Sequence, residues 1–127
     1  MSLQCPDCEA EGSLEIRSTL QLQKDQCQSE VTLQIIECHE CQFSGLAVFE
    51  EGRRGAGDTR AWKHTGYRLG ETDLNYVREL ILACPKPFDP TCDCLAHSQF
   101  GICDSHGVWI GLAGFDARGS FPIRLNV

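Results

Sequence analysis

Two pairs of cysteines constrain the fold of this chain more than any other feature. They are Cys5-Pro6-Asp7-Cys8 and Cys38-His39-Glu40-Cys41, two C-x2-C motifs separated by residues 9–37. A C-x2-C turn directs both sulfurs at one ion about 2.3 Å away, and a second such turn completes a tetrahedron. Two correctly spaced pairs rarely arise by chance, so the sequence predicts a metal site with four thiolate ligands.

The segments that follow each pair have the pattern of strands. Residues 14–22 and 31–35 alternate between apolar and polar side chains, the period of two that is typical of half-buried strands. A third short apolar run covers residues 46–49. Three such strands form a core too small to be stable by itself, because domains below about 40–50 residues usually need a metal or a disulfide. We therefore expect the metal to be part of the fold.

Over residues 5–50 this arrangement resembles the zinc ribbon group. The resemblance implies one structural Zn(II) ion, held by Cys5, Cys8, Cys38 and Cys41. With four protein ligands, no coordination position remains for a catalytic water. The spacing is also similar to that of rubredoxin, which holds redox-active iron. However, Glu9 and Gln42 stand where rubredoxins usually carry glycine, and residues 9–37 contain no aromatic residue. Zinc is therefore the expected metal and iron is the alternative.

Positive charge is concentrated in residues 51–70, although the chain as a whole has a net charge of −7. The cations of this segment, which contains only two acidic residues, are Arg53, Arg54, Arg60, Lys63 and Arg68. Its glycines predict a loop or linker. Cations interleaved with Trp62 and Tyr67 suit contact with an anion or a nucleic acid. The alternative is a solvated loop whose two aromatic residues pack onto the ribbon or the helix.

A helix is predicted after this segment. Thr72 is a candidate N-cap, an apolar stripe runs from Leu74 to Cys84, and Pro85 ends the helix. Residues 85–99 contain three prolines and no periodicity, which predicts an irregular loop. Residues 100–102 and 108–112 could pair as a β-hairpin. A last strand is predicted over residues 121–127, where a proline favours the edge of a sheet.

The expected fold class is therefore α+β, with an N-terminal three-stranded antiparallel zinc ribbon, one helix and a C-terminal β-hairpin. The expected organisation is a ribbon over residues 1–50, a basic glycine-containing linker over 51–70, and a C-terminal part over 71–127. The C-terminal part, with its helix, Cys/His-rich loop and hairpin, is expected to pack on the ribbon.

Six further potential metal ligands lie within residues 84–106. The set we favour for a second metal is Cys92, Cys94, Cys103 and His106, with His97 or Cys84 as substitutes. This spacing matches no common zinc template, so thiols without metal and a redox disulfide remain alternatives. Cys84 also continues the apolar stripe of the helix, as an ordinary buried cysteine would. A site with only three protein ligands could be catalytic.

Nine cysteines in a chain without the layout of a signal peptide indicate a reducing compartment, the cytoplasm. No apolar run approaches the about 20 residues of a membrane span, so no membrane association is expected. The common phosphate-loop, dinucleotide, nucleophile-elbow and HExxH motifs are missing, so no catalytic residue is predicted. We expect a zinc-binding module that engages a protein or a nucleic acid. The alternative is redox or metal-dependent chemistry, as rubredoxin-like electron transfer or as thiol chemistry at the second cluster.

Overall fold

A computed structural model describes residues 2–24, 29–53, 60–115, 117–123 and 125–126. Within these residues the chain forms seven strands and two helices. The elements are β1 (Ser2–Leu3), β2 (Leu14–Gln21), β3 (Glu30–Cys38), β4 (Ser44–Arg53), β5 (Arg60–Leu69), α1 (Glu71–Ala83), α2 (Leu95–Phe100), β6 (Ala117–Pro122) and β7 (Leu125–Asn126). The mixed α and β composition predicted from the sequence is confirmed.

All the strands belong to one antiparallel sheet with the order β6-β5-β4-β3-β2-β1-β7. Five longer strands, β2 to β6, form its body, and the two-residue strands β1 and β7 extend it beyond β2. The strands predicted around residues 14–22, 31–35 and 46–49 correspond to β2, β3 and β4. The sheet nevertheless has more strands than the three expected for a zinc ribbon.

The sheet is curled, because its two outermost strands are neighbours in the sequence. Only residues 123 and 124 separate β6 from β7, yet these strands lie at opposite ends of the strand order. Seven flat strands would place them about 29 Å apart at about 4.8 Å per strand. The three Cα–Cα steps from Pro122 to Leu125 span at most about 11 Å. The two edges of the sheet must therefore approach each other.

The two faces of the curled sheet carry separate apolar clusters. The larger cluster packs sheet residues such as Leu33 and Leu46 against Val77 of α1 and Phe100 of α2. The smaller cluster lies on the opposite face and joins Leu3 of β1 with Ile123, which follows β6. Since this second cluster unites residues from both edges of the sheet, its face is the concave one. The helices cover the other face.

The predicted linker over residues 51–70 is wrong, because most of this segment belongs to strands. β4 extends to Arg53, and β5 begins at Arg60 and pairs with β4 as far as Tyr67. Backbone pairing with an apolar neighbouring strand outweighs the weak strand propensity of a basic segment that contains glycine. Arg54 lies outside the described residues.

The predicted helix is confirmed, with a different N-terminus. The buried residues of α1 are Leu74, Val77 and Ile81, which belong to the predicted stripe. Gly70 rather than Thr72 is the N-cap, and no side chain caps this end. Neither helix of the described residues is long and apolar enough to cross a membrane.

The C-terminal part also differs from the prediction. Residues 95–100, expected in a loop, form α2, and the expected hairpin is reduced to one β-bridge between Cys103 and Trp109. The last strand is divided into β6 and β7, which lie at the two ends of the strand order. Pro122, at the end of the outermost strand β6, occupies the edge position expected for a proline.

Gly66 on β5 allows close packing at the concave face. A Cβ atom at this position would lie 2.3 Å from the ring of Phe121. This ring cannot easily move, because it packs edge-on against Phe43 at 5.8 Å and lies 5.3 Å from the Arg68 guanidinium carbon.

We expect Gly66→Ala to lower the free energy of unfolding by about 1–3 kcal/mol, the usual cost of overpacking. Gly114→Ala is the matched control, since a Cβ there meets no atom within 4 Å. The midpoint of urea unfolding is measured for both variants and for the unchanged protein. Equal midpoints for the two variants would contradict the packing assigned to Gly66.

Candidate metal centres

The four cysteines of the C-x2-C pairs converge, as their spacing predicts. Cys5 and Cys8 lie in the turn after β1, whereas Cys38 ends β3 and Cys41 lies in the turn before β4. The Sγ atoms of Cys5 and Cys41 are 3.5 Å apart, and those of Cys8 and Cys38 are 3.7 Å apart. A tetrahedral zinc site with bonds of about 2.3 Å has sulfur–sulfur edges of about 3.8 Å. A disulfide would need about 2.05 Å, so the geometry fits one shared ion.

Backbone N–H groups point at these sulfurs and favour their thiolate form. The N–H of Asp7 donates to Cys5 Sγ at 3.4 Å, and the N–H groups of Glu40 and Cys41 donate to Cys38 Sγ at 3.3 and 3.4 Å. Such bonds to a charged acceptor are stronger than bonds between neutral groups. If all four thiols are ionised, these backbone N–H groups therefore balance part of their negative charge.

The pKa values of neighbouring thiols diverge, as expected when several negative charges compete for one small volume. Burial raises the pKa of Cys38, but the Ser13 hydroxyl and two backbone N–H groups outweigh it and lower the pKa to about 6. For Cys41, the Phe43 N–H lowers the pKa, but burial and three neighbouring thiols raise it to about 12. A divalent cation would remove this competition, because all four sulfurs could then be thiolates.

Each cysteine turn is followed by a residue in the left-handed backbone conformation, at the position where rubredoxins usually carry glycine. The residues that follow the two pairs, Glu9 and Gln42, have positive φ angles of 60° and 66°. This left-handed conformation costs a non-glycine residue roughly 1–2 kcal/mol. The Glu9 N–H donates to Cys5 O at 3.1 Å, which helps to hold the first turn in this shape.

Replacing either residue by glycine should stabilise the metal-loaded protein. We expect Glu9→Gly and Gln42→Gly each to raise the free energy of unfolding by about 0.5–1 kcal/mol, the relief of strain less the greater freedom of glycine in the unfolded chain. Glu11→Gly, in the same turn but at a residue without a positive φ, is the control and should be destabilising. A denaturant midpoint that falls in all three variants would contradict the assigned strain.

Arg68 contacts both cysteine turns of the first cluster. Its Nη2 lies 2.6 Å from Asp7 Oδ1, within the first cysteine turn. Its guanidinium carbon lies 5.2 Å from the ring centroid of Phe43, which follows the second turn. Arg68 thus connects both cysteine turns to β5, so its charge is already engaged within the fold.

The other predicted cations are distributed differently. Lys63 is exposed and pairs in register with Glu50, on the face of the sheet opposite Trp62. Arg53 and Arg60 are register partners at the far end of the β4–β5 pair.

A second group of ligands gathers at the ends of the two helices. It consists of Cys84, Cys92, Cys94 and His97, whose ligand atoms all lie within 4.8 Å of one another. Cys84 Sγ is 3.8 Å from Cys92 Sγ and 3.5 Å from His97 Nδ1. A tetrahedral zinc site has sulfur–nitrogen edges of about 3.5 Å. This cluster therefore has a geometry close to that of a site with three sulfurs and one nitrogen.

The imidazole of His97 is oriented as in a metal ligand. Nδ1 faces the sulfurs, 3.1 Å from Cys94 Sγ, and Nε2 lies 2.9 Å from the carbonyl oxygen of Gln21. An N–H on Nε2 would donate to this carbonyl and leave the Nδ1 lone pair directed at the cluster. Metal-bound histidines characteristically donate their other ring N–H to a carbonyl or carboxylate. The ring is buried, so its orientation is fixed by packing.

The pKa values of this cluster diverge in the same way as in the first. Burial raises the pKa of Cys94, but the His97 side chain and N–H and the two neighbouring thiols lower it to about 6. For Cys84, burial together with the contact to Cys94 raises the pKa to about 12. The opposite pKa shifts of Cys84 and Cys94 again fit a site in which a cation replaces the protons.

The second cluster contains only part of the ligand set favoured from the sequence. Cys92 and Cys94 belong to it, but the two substitutes, Cys84 and His97, replace Cys103 and His106. Cys103 forms a β-bridge and lines a cleft of about 340 Å³ beside Cys92 and His97. The N–H of His106 donates to Asp104 Oδ1 at 2.8 Å, within a turn that precedes Trp109.

The sequence pattern does not predict the short helix α2, which brings Cys94 and His97 together. Cys94 is its N-cap and accepts a hydrogen bond from the His97 N–H, so the side chains at positions 94 and 97 lie on one side of the first turn. A C-x2-H spacing at the start of a helix would have favoured His97. Gln21, which orients the imidazole, lies 76 positions away in the chain and gave no local signal.

Comparison with known proteins does not identify a function: no family model, no curated protein and no solved structure matches this chain. The Cys5, Cys8, Cys38 and Cys41 cluster is compatible with a zinc ribbon. Any assignment of function must therefore come from the chemistry of the two clusters and of the surrounding surfaces.

Proposed function

We propose that this is a zinc protein with two structural ions, in which the metals stabilise a curled sheet that acts as an interaction module. The observation that carries the proposal is that each cluster offers four protein ligands at tetrahedral spacing. A site closed by four protein ligands has no position for a reacting water, which favours a structural role over Lewis-acid catalysis.

The positions of the clusters support this role. The first joins the turn between β1 and β2 to the turn between β3 and β4. The second joins the C-cap of α1 to the N-terminus of α2, and His97 connects it to the backbone of β2. Each structural zinc ion contributes roughly 10–16 kcal/mol of apparent folding free energy, comparable to the stability of a whole domain. The metals would thus link turns and helix ends that lie far apart in the sequence.

The first experiment is a measurement of metal content and visible absorption on untagged protein purified without added metal. We expect two zinc ions per chain and no colour, and unfolding when a strong chelator removes the metal. Iron with visible absorption would instead favour rubredoxin-like electron transfer at the first cluster, because iron–thiolate sites absorb visible light and zinc sites do not.

Variants at the second cluster decide which residues bind the second ion. The double substitution Cys92→Ser with Cys94→Ser should lower the zinc content from two ions to one. Cys103→Ser and His106→Gln are the matched controls and should retain both ions, because neither residue belongs to the cluster. Loss of an ion from either control would restore the ligand set favoured from the sequence.

Thiol chemistry at the second cluster is the competing function. It is favoured by the Cys94–His97 contact of 3.1 Å, a pairing that can generate a reactive thiolate. The two functions predict opposite behaviour toward a thiol reagent such as dithionitrobenzoate. In a zinc protein the seven cluster thiols react slowly until a chelator is added. Rapid modification of Cys94 in protein as purified, detected by peptide mass spectrometry, would favour thiol chemistry.

A further inference from the structure

The outer edge of β2 is covered by a loop along part of its length. On one side β2 pairs with β3 from Leu14 to Gln21. On the other side, among the described residues, β1 meets β2 at one register pair, Leu3 and Leu14. A strand edge without a partner presents backbone N–H and C=O groups to other chains, and proteins commonly cover such edges. The groups that cover β2 therefore decide how accessible this edge is.

Gln21 shows how the edge is covered. In an antiparallel pair the N–H and C=O of one residue point to the same side, and the side alternates along the strand. The N–H of Leu22 donates to Val31 O of β3 at 3.0 Å, so the backbone groups of Gln21 point away from β3. The Gln21 N–H donates to Pro87 O at 2.8 Å, and the Gln21 carbonyl oxygen lies 2.9 Å from His97 Nε2. The second cluster and the loop attached to it thus satisfy both outward groups of Gln21.

Residues 85–91, which we call the strap, connect two ligands of the second cluster. Cys84 precedes the strap and Cys92 follows it, and their Sγ atoms are 3.8 Å apart. An ion bound to both sulfurs would close a short loop, as a disulfide does, and would remove much of the conformational freedom of the strap. Such an ion would hold Pro87 in place against β2.

The strap makes few other contacts that could hold it against the sheet. None of its residues is buried, and the Phe88 side chain is 69% exposed. Hydrogen bonds within the strap, such as the 2.7 Å bond from the Thr91 hydroxyl to Asp89 Oδ1, fix its shape but do not attach it to β2. A cleft of about 390 Å³, bordered by Phe88, Leu82 of α1 and Thr19 of β2, lies between the strap and the strand. Segments with few buried contacts are the ones that open locally.

The sheet and α1 have apolar contacts of their own. Leu20 and Leu33, a register pair of β2 and β3, are fully buried, and so is Val77 of α1. Cys38 of the first cluster pairs with Leu14, at the opposite end of β2 from Gln21. Loss of the second ion alone would therefore leave the sheet, α1 and the first cluster in place.

We infer that the second ion holds the strap closed, and that loss of this ion opens the strap and exposes the outer edge of β2 without unfolding the sheet. The ligand of this switch is the zinc ion itself. The second site responds to the supply of zinc, whereas the first ion belongs to the frame of the sheet. The inference rests on the proposed function, because it adds a regulatory role to the second of the two ions.

The test compares amide hydrogen exchange at two neighbouring residues, measured by nuclear magnetic resonance. The samples are the unchanged chain and the double variant Cys92→Ser with Cys94→Ser, and the zinc content of each is measured first. We expect the protection of the Gln21 amide, whose acceptor is Pro87 O, to fall by about 100-fold in the variant, because the strap opens locally. The protection of the Leu22 amide, whose acceptor is on β3, should change by less than about threefold. Cys103→Ser removes a thiol outside the cluster and is the matched control, in which both amides should keep their protection.

A second measurement uses the unchanged chain, so that no substitution disturbs the packing. Chymotrypsin cleaves after aromatic residues, and Phe88 in the strap and Trp62 in β5 are similarly exposed, at 69% and 63%. A chelator lowers the zinc content from two ions to one, and mass spectrometry of alkylated cysteines shows which cluster released its ion. We expect cleavage after Phe88 to accelerate by about tenfold or more, because cleavage follows the population of the open form. Added zinc should reverse this change, and cleavage after Trp62 should stay slow throughout.

The outcomes separate this inference from the proposed function. Two zinc ions in the unchanged chain, with Gln21 equally protected in the double variant, would overturn the inference and leave the proposed function intact. Loss of protection at both amides would also overturn it, because the second ion would then support the whole sheet. Release of the first ion before the second would overturn it as well, since the first ion would not belong to the frame. A single zinc ion in the unchanged chain would contradict the proposed function and the inference together.

Discussion

The convergence of four cysteine thiols at the end of the sheet is the constraint on which the rest of the structure depends. Sulfurs 3.5 and 3.7 Å apart cannot all be ionised without a cation, and the pKa values of about 6 for Cys38 and about 12 for Cys41 express this conflict. Backbone N–H groups reduce the conflict but do not remove it. The turns around the sulfurs also accept positive φ angles at Glu9 and Gln42, a cost that metal binding can offset.

The second cluster repeats this solution where the helices meet the sheet. α2 has only six residues, too few to be stable alone, so its place must be fixed by tertiary contacts. Cys94 and His97 provide such contacts at its first turn, and Cys84 provides one at the end of α1. The Nε2 atom of His97 lies within hydrogen-bonding distance of the Gln21 carbonyl oxygen, and this contact connects the cluster to β2. Two compact polar centres thereby tie the sheet, its turns and both helices together.

Stabilisation of this kind leaves a surface available for binding. The helices cover one face of the sheet, and among the described residues a buried apolar cluster around Phe43 and Ile123 fills part of the other face. Trp62 and Phe49 remain at the open part, where burying the indole would be worth about 1.5–3 kcal/mol or more. An exposed aromatic pair is therefore a stability cost that a binding partner can recover.

The sequence alone determined the first cluster, the strands around residues 14–22, 31–35 and 46–49, and the buried stripe of α1, because C-x2-C spacing and apolar periodicity are local signals. Tertiary structure decided the rest. Residues 60–69 became a strand because β4 supplied the hydrogen-bonding partner, although their composition resembled a loop. His97 and Cys84, rather than His106 and Cys103, joined the second cluster because packing of α1 and α2 against β2 brought them together. Such juxtapositions depend on distances through space, which spacing along the chain does not encode.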